Sequence, residues 1–263
     1  PTTGGGWDWG YLRNINFYLE HSQRCSNTTV REQYDGIARF FRAYFYFEKV
    51  KRFGDVPWYD KAMASNDEDL MKPRDTREFV MGKIIEDIDY AIKHISDAAE
   101  LYRVTKWTAM ALKSRICLFE GTWRKYHGLN DAETYLKECK RVSAEVMNSF
   151  PEICSNYDDL FCSLELKDVP GVILYREFSN AENVIHATSI GGTTGASYYN
   201  PTRDLVDSYL CSDGKTRWNS PLYKGDKDMY DEFSCRDHRL WLQVTPPYRI
   251  DRSASTDAWG NKW

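Results

Sequence analysis

Apolar residues recur at helical spacing through roughly the first 150 positions. Tyr11, Ile15, Tyr18 and Leu19 mark a first helix, and Ile37, Phe40, Phe41, Tyr44 and Phe47 form the stripe of a second. Phe45 and Tyr46 fall off that stripe, which predicts a helix covered on two sides. Pro73 followed by Asp75 as N-cap, with Glu78 three residues on, predicts a third helix carrying Val80, Ile84, Ile88, Ala91, Ile92 and Ile95 on one face. A fourth follows Thr105 and aligns Leu112, Ile116, Phe119 and Trp123. A fifth begins near Asp131, carries Tyr135, Cys139, Val142 and Val146, and stops at Pro151.

The short connection over 126–130 implies an antiparallel hairpin. Ala109, Ala111, Ala132 and Ala144 are small enough to let its helices approach closely, as in a tetratricopeptide-type pair. Helices two and three suit a second such pair with a long polar insertion over 54–74, although no clean 34-residue repeat is present. Within that insertion Gly54-Asp55 reads as a C-cap and turn, so Asp55 and the preceding Arg52 are expected to be structural.

After Pro151 the periodicity fades. Val172–Tyr175 and Trp241–Val244 read as short strands among Gly-, Ser- and Tyr-rich loops. Asn200 as cap, with Pro201 at the first helical position, opens a short helix through Leu205, Val206 and Tyr209. The expected fold is mainly α: one domain over 1–263, with a tetratricopeptide-like helical scaffold over about 8–150. A loop-rich, irregular ligand-binding portion fills about 151–263. The sequence opens at Pro1 with no initiator Met and no signal-peptide pattern, so it is expected to be an internal piece of a longer chain.

Composition narrows the function. With 42% hydrophobic and 28% charged residues the chain is globular, and its apolar runs are too short to cross a bilayer. A balance of 35 Lys+Arg against 39 Asp+Glu gives a net charge of −4, without the basic footprint of a nucleic-acid partner. Seven cysteines include no CxxC pair, and the odd number argues against a complete disulfide framework; Cys117 and Cys139 read as small buried hydrophobes. No GxSxG, HExxH or GxxxxGK motif occurs, and Gly191–Gly195 is a Gly-rich loop with no following Lys. Asp226, Asp228, Asp231 and Glu232 lack the EF-hand glycine and read as a solvated acidic loop. The five histidines form no pair at ligand spacing. No catalytic residue, metal or cofactor is therefore expected, although two carboxylates remote in sequence can still meet in a helical glycoside hydrolase.

The positive signal is aromatic: 9 Trp, 18 Tyr and 12 Phe. An exposed flat ring with a polar tip suits a sugar, which is apolar on one face and hydroxylated at its edge. Three loop segments carry such rings and supply the candidate ligand-binding residues: Trp7 and Trp9, Tyr198 and Tyr199, and Trp218 with Tyr223. For Trp7 and Trp9 the alternative is packing under the first helix as core.

Ordered landmarks now carry a resemblance. Arg42-Ala43-Tyr44-Phe45-Tyr46-Phe47 runs into Arg52-Phe53-Gly54-Asp55-Val56-Pro57, Pro73-Arg74 precedes Ile84-Ile85-Glu86-Asp87-Ile88, and Thr105-Lys106 precedes Ala111-Leu112-Lys113-Ser114-Arg115. Pro201-Thr202, Leu205-Val206-Asp207-Ser208-Tyr209, Asp213-Gly214-Lys215 and Arg236-Asp237-His238-Arg239-Leu240 follow. The set resembles the RagB/SusD family of Bacteroidetes nutrient-binding lipoproteins across essentially the whole chain. Departures are His238 where Pro is usual and Tyr102 where Gly is expected before Arg103. The resemblance implies a non-catalytic glycan receptor on the outer face of the outer membrane, held by an N-terminal lipid anchor outside this sequence. It also implies a SusC-like TonB-dependent transporter as partner, and binding loops near the three aromatic segments. A peptide-binding member of the same family, a helical glycoside hydrolase and a cytosolic tetratricopeptide adaptor are the alternatives.

Overall fold

In the computed structural model, which describes residues 5–98, 102–179, 181–186 and 201–244, five long helices fill the first part of the chain. They are α1 (Gly10–His21), α2 (Thr28–Phe53), α3 (Arg77–His94), α4 (Lys106–Tyr126) and α5 (Ala132–Ser149). Local chemistry sets their ends. The Asn27 side chain accepts the Val30 N–H to cap α2, and Gly54, at φ 69°, ends that helix in a conformation that favours glycine. Thr105 and Thr108 cap α4 reciprocally.

The start of α3 differs from expectation: Thr76 is the N-cap, accepting the Phe79 N–H at 3.3 Å. Asp75 is already engaged elsewhere, taking the Trp58 N–H at 2.7 Å and pairing with Lys72 at 2.9 Å. Burial works against its charge, but these two donors outweigh it and hold the carboxyl below the usual range.

Helix α2 packs along α3, α3 on α4, and α4 along α5, giving two helical hairpins in succession and a mainly α, tetratricopeptide-like scaffold. Gly121 is the point of closest approach in the second hairpin, since a Cβ there would stand 2.8 Å from the Leu136 side chain. The core joins Leu12 to Phe40, Ala43, Tyr46, Phe47 and Val50 of α2, to Val80, Ile84 and Ile88 of α3, and to Ile116 of α4. On α2 the buried face lies to one side of the predicted stripe. Tyr46 is fully buried, while Phe41 and Tyr44 remain 44% and 48% exposed. The small Ala43 and Val50, spaced with Phe40 and Phe47, define the core face that the larger rings obscured. Cys117 is buried as expected, and burial pushes its thiol up to about 12, so it stays protonated. Cys139 is only half-buried, with its sulfur near the Ser114 hydroxyl.

Beyond α5 the chain is irregular, with short helices α6 (Tyr157–Cys162), α7 (Arg203–Ser208), α8 (Met229–Phe233) and α9 (His238–Gln243). Neither expected strand is present. Residues 172–175 have no regular secondary structure, and 241–243 lie inside α9, because Asp237 caps a helix by accepting the Arg239 N–H at 2.9 Å. The cap of α7 is Thr202, whose hydroxyl accepts the Leu205 N–H, so Pro201 precedes the cap instead of opening the helix; Asn200 lies outside the described residues. The chain divides into two compact units, Pro1–Ser179 and Asn180–Trp263.

Asp55 is structural, as expected: its carboxylate accepts the Arg77 N–H at 2.8 Å, tying the end of α2 to the first turn of α3. Asp55→Ala should therefore lower stability by about 1 kcal/mol, as loss of a helix-capping acceptor does. Urea denaturation of the two proteins checks this, and an unchanged midpoint would show that the contact contributes nothing.

Candidate functional site

In the first unit, α1 and the 57–74 segment enclose a cleft of about 600 Å³. Its lining includes Trp7, Trp9, Arg13, Tyr59, Met63 and Arg74. A buried polar network builds it. Asp87 on α3 accepts two hydrogen bonds from the Arg42 guanidinium, at 2.6 and 2.8 Å, and both side chains are almost wholly buried. The third guanidinium nitrogen of Arg42, Nη1, donates to the Asn16 side-chain oxygen on α1 at 3.3 Å. Asn16, with no exposed surface, donates hydrogen bonds from its side-chain amide to the carbonyls of Tyr59 and Lys61, at 2.9 and 3.1 Å. Beside it the Tyr46 hydroxyl accepts the Tyr59 N–H at 2.6 Å, and burial pushes that phenol's pKa upward. One continuous set of hydrogen bonds thus fixes α1, α2, α3 and the strap over 57–61.

The two tryptophans of this cleft play different parts. Trp9 is half-buried and makes edge contacts to the rings of Tyr46 and Tyr59 at 6.1 and 5.6 Å, joining the aromatic packing on α2. Trp7 is 43% exposed, meets Trp9 at 5.1 Å and Phe53 at 4.9 Å, and carries the Arg74 guanidinium 5.0 Å from its ring centroid. Lys49 sits beneath, close to the Trp9 and Phe45 rings, where burial lowers its pKa; it donates to the Gly6 carbonyl.

In the second unit Trp218 is 75% exposed, and its ring lies 4.0 Å from the guanidinium carbon of Arg217. Arg217 is itself buried, pairs with Asp207 at 2.9 Å and donates to the Tyr223 hydroxyl at 3.0 Å. Arg203 bridges Asp207, Asp226 and Glu232, so two of the four acids expected as a solvated loop instead bind arginines. Asp228 caps α8. Among the described residues no group of three or more His, Cys, Asp or Glu is arranged to hold a metal. Of the six sequence-derived candidates, Trp7 and Trp9 therefore meet in one place and Trp218 and Tyr223 in another; Tyr198 and Tyr199 lie outside the described residues. The arginines that back the exposed rings, Arg74 and Arg217, escaped the sequence reading, though each has a signal there: Arg217 adjoins Trp218, and Arg74 ends the polar insertion. Both places offer an exposed indole with a guanidinium against its ring, which is chemistry for non-covalent capture.

Residues 6–118 match the SusD-like family described as "Starch-binding associating with outer membrane". A SusD-like protein of Bacteroides ovatus is 26% identical over 227 residues, which is 82% of this chain and 41% of that protein. A SusD-like carbohydrate-binding protein of Bacteroides fragilis superposes with a TM-score of 0.69 at 22% identity, covering 89% of this chain and 45% of its own. A laminarin-binding SusD-like protein superposes at 0.53 and 18% identity, over 65% of this chain and 37% of its own. The chain thus spans about two-fifths of the length of the Bacteroides ovatus relative.

Removing Asp87 would leave Arg42 buried without its counter-charge. Asp87→Ala should cost about 3–5 kcal/mol, the usual penalty for breaking a buried pair from one side. Chemical denaturation measures it, and a loss under about 1 kcal/mol would mean that water reaches Arg42 as it does a surface pair.

Proposed function

Since the chain belongs to the SusD-like family, we propose that it binds glycans at the cell surface without cleaving them and passes them to a SusC-like TonB-dependent transporter. On this reading the protein sits on the outer face of the outer membrane, held by an N-terminal lipid anchor. The observation that carries glycan binding is Trp218: a three-quarters exposed indole, stacked on a buried arginine that is locked by Asp207 and the Tyr223 hydroxyl. An exposed indole with a cation behind one face offers its other face to the apolar side of a sugar. The name of the laminarin-binding neighbour supports the same class of ligand. Co-purification with a TonB-dependent barrel from outer membranes under mild detergent tests the transporter; elution alone at native expression counts against it.

Glycan binding and its mode are tested by electrophoresis through gels containing laminarin, xyloglucan or starch, with reducing ends assayed in parallel. The expected result is retardation on at least one polymer with no new reducing ends. Trp218→Ala should weaken that binding about 5- to 150-fold, as loss of an aromatic platform worth roughly 1–3 kcal/mol does, while the melting temperature barely moves. Release of reducing ends would make the protein a hydrolase, and unchanged affinity in Trp218→Ala would remove Trp218 from the site.

A further inference from the structure

The cleft around Trp7 has a charge pattern that a neutral sugar does not need. Four of its lining residues are basic (Arg13, Lys61, Lys72 and Arg74) and none is acidic, in a chain that carries more acids than bases. Two of the four charges are already satisfied: Lys61 pairs with Asp69 at 2.7 Å, and Lys72 with Asp75 at 2.9 Å. Arg13 and Arg74 have no carboxylate within ion-pair distance among the described residues. Asp8 and Asp60, which adjoin the cleft in sequence, do not line it, and Asp8 accepts the Gly10 N–H at 2.9 Å.

Both arginines are held in place by something other than charge. Arg13 donates through Nε to the Met63 carbonyl at 3.1 Å, and its two terminal nitrogens have no acceptor among the described residues. Arg74 is placed by the Trp7 ring, 5.0 Å from its centroid. A guanidinium fork matches the two oxygens of a carboxylate or a sulfate, and an indole beside it supplies the stacking face for the ring that bears the anion.

We propose that this cleft takes an anionic sugar residue, a uronate or a sulfate ester, whose charged group is met by Arg13 and Arg74 while its ring packs on Trp7. The proposal rests on the glycan-binding reading and names the substrate class of one of its sites.

The test uses the full-length protein and four polymers: polygalacturonate and dextran sulfate as anionic probes, laminarin and xyloglucan as neutral ones. Binding to polygalacturonate or dextran sulfate should weaken at least 10-fold between 50 and 500 mM NaCl, because exposed charge pairs are screened. Preference for one of the two assigns the anion as carboxylate or sulfate. The double variant Arg13→Gln/Arg74→Gln should lose at least 10-fold affinity for that polymer, whereas Lys125→Gln/Lys137→Gln, which removes the same charge from solvated helix faces, should not. If the first double variant fails to fold, Arg74→Gln alone, at an exposed side chain, carries the test. Binding to the neutral polymers only, or anion binding that both double variants weaken equally, overturns the proposal and leaves glycan binding standing. Equal retention of polyglutamate overturns the sugar assignment; binding to none of the four polymers overturns the proposal, and only if starch is not bound either does the glycan-binding reading itself fall.

Discussion

A carboxylate buried on a helix that is otherwise isoleucine-rich has to be answered by a cation, and in this protein the answer organises everything around it. Asp87 stands between Ile84 and Ile88, and the fork of Arg42 closes on it from α2. The remaining donor of Arg42 reaches α1 through Asn16, and Asn16 reaches the strap over 57–61. A buried ion pair gains little net stability over well-packed apolar groups. What it supplies here is position: its hydrogen bonds tie α1, α2 and α3 to one another and to the strap. The cleft beside Trp7 is bounded by α1 and by that strap, so its walls are set by the same network.

The two aromatic places share a construction. At each, an exposed indole has a guanidinium at its face, Arg74 at Trp7 and Arg217 at Trp218. A cation at one face of an exposed ring favours the orientation that keeps the contact and leaves the other face open to a ligand. They differ in how the cation is spent. Arg217 is buried and neutralised by Asp207, so it serves only as backing, whereas Arg74 stays exposed with no carboxylate within ion-pair distance among the described residues. The second arrangement leaves charge available to a ligand.

Much of the scaffold was legible because it is written in local periodicity. The Thr105 cap, the α4–α5 hairpin and the core positions of α3 follow from spacing and capping residues alone. The misreadings came where tertiary contacts override local preference. Asp75 looked like a cap but is claimed by Trp58 and Lys72, contacts 17 and 3 residues away in sequence. Phe41 and Tyr44 looked like core because ring size outweighed the small Ala43 and Val50. Trp241-Leu242 looked like a strand because a short apolar run carries no period, and its Asp237 cap was passed over. Of the candidate sites, the tryptophans were visible as aromatics in loops. The Arg42–Asp87–Asn16 network was not, since nothing in a sequence pairs residues 26 and 45 positions apart; its trace is a charge amid the most apolar stretch of α3.

The network holds the strap over 57–61 as firmly as it holds the helices. Hydrogen exchange at the Tyr59 amide, which donates to the buried Tyr46 hydroxyl, reports on this most directly. It should exchange as slowly as the core amides of α3, and Asn16→Ala should speed it far more than it speeds those core amides. Exchange of Tyr59 at the rate of an open loop, or an Asn16→Ala variant that leaves it unchanged, would contradict the account.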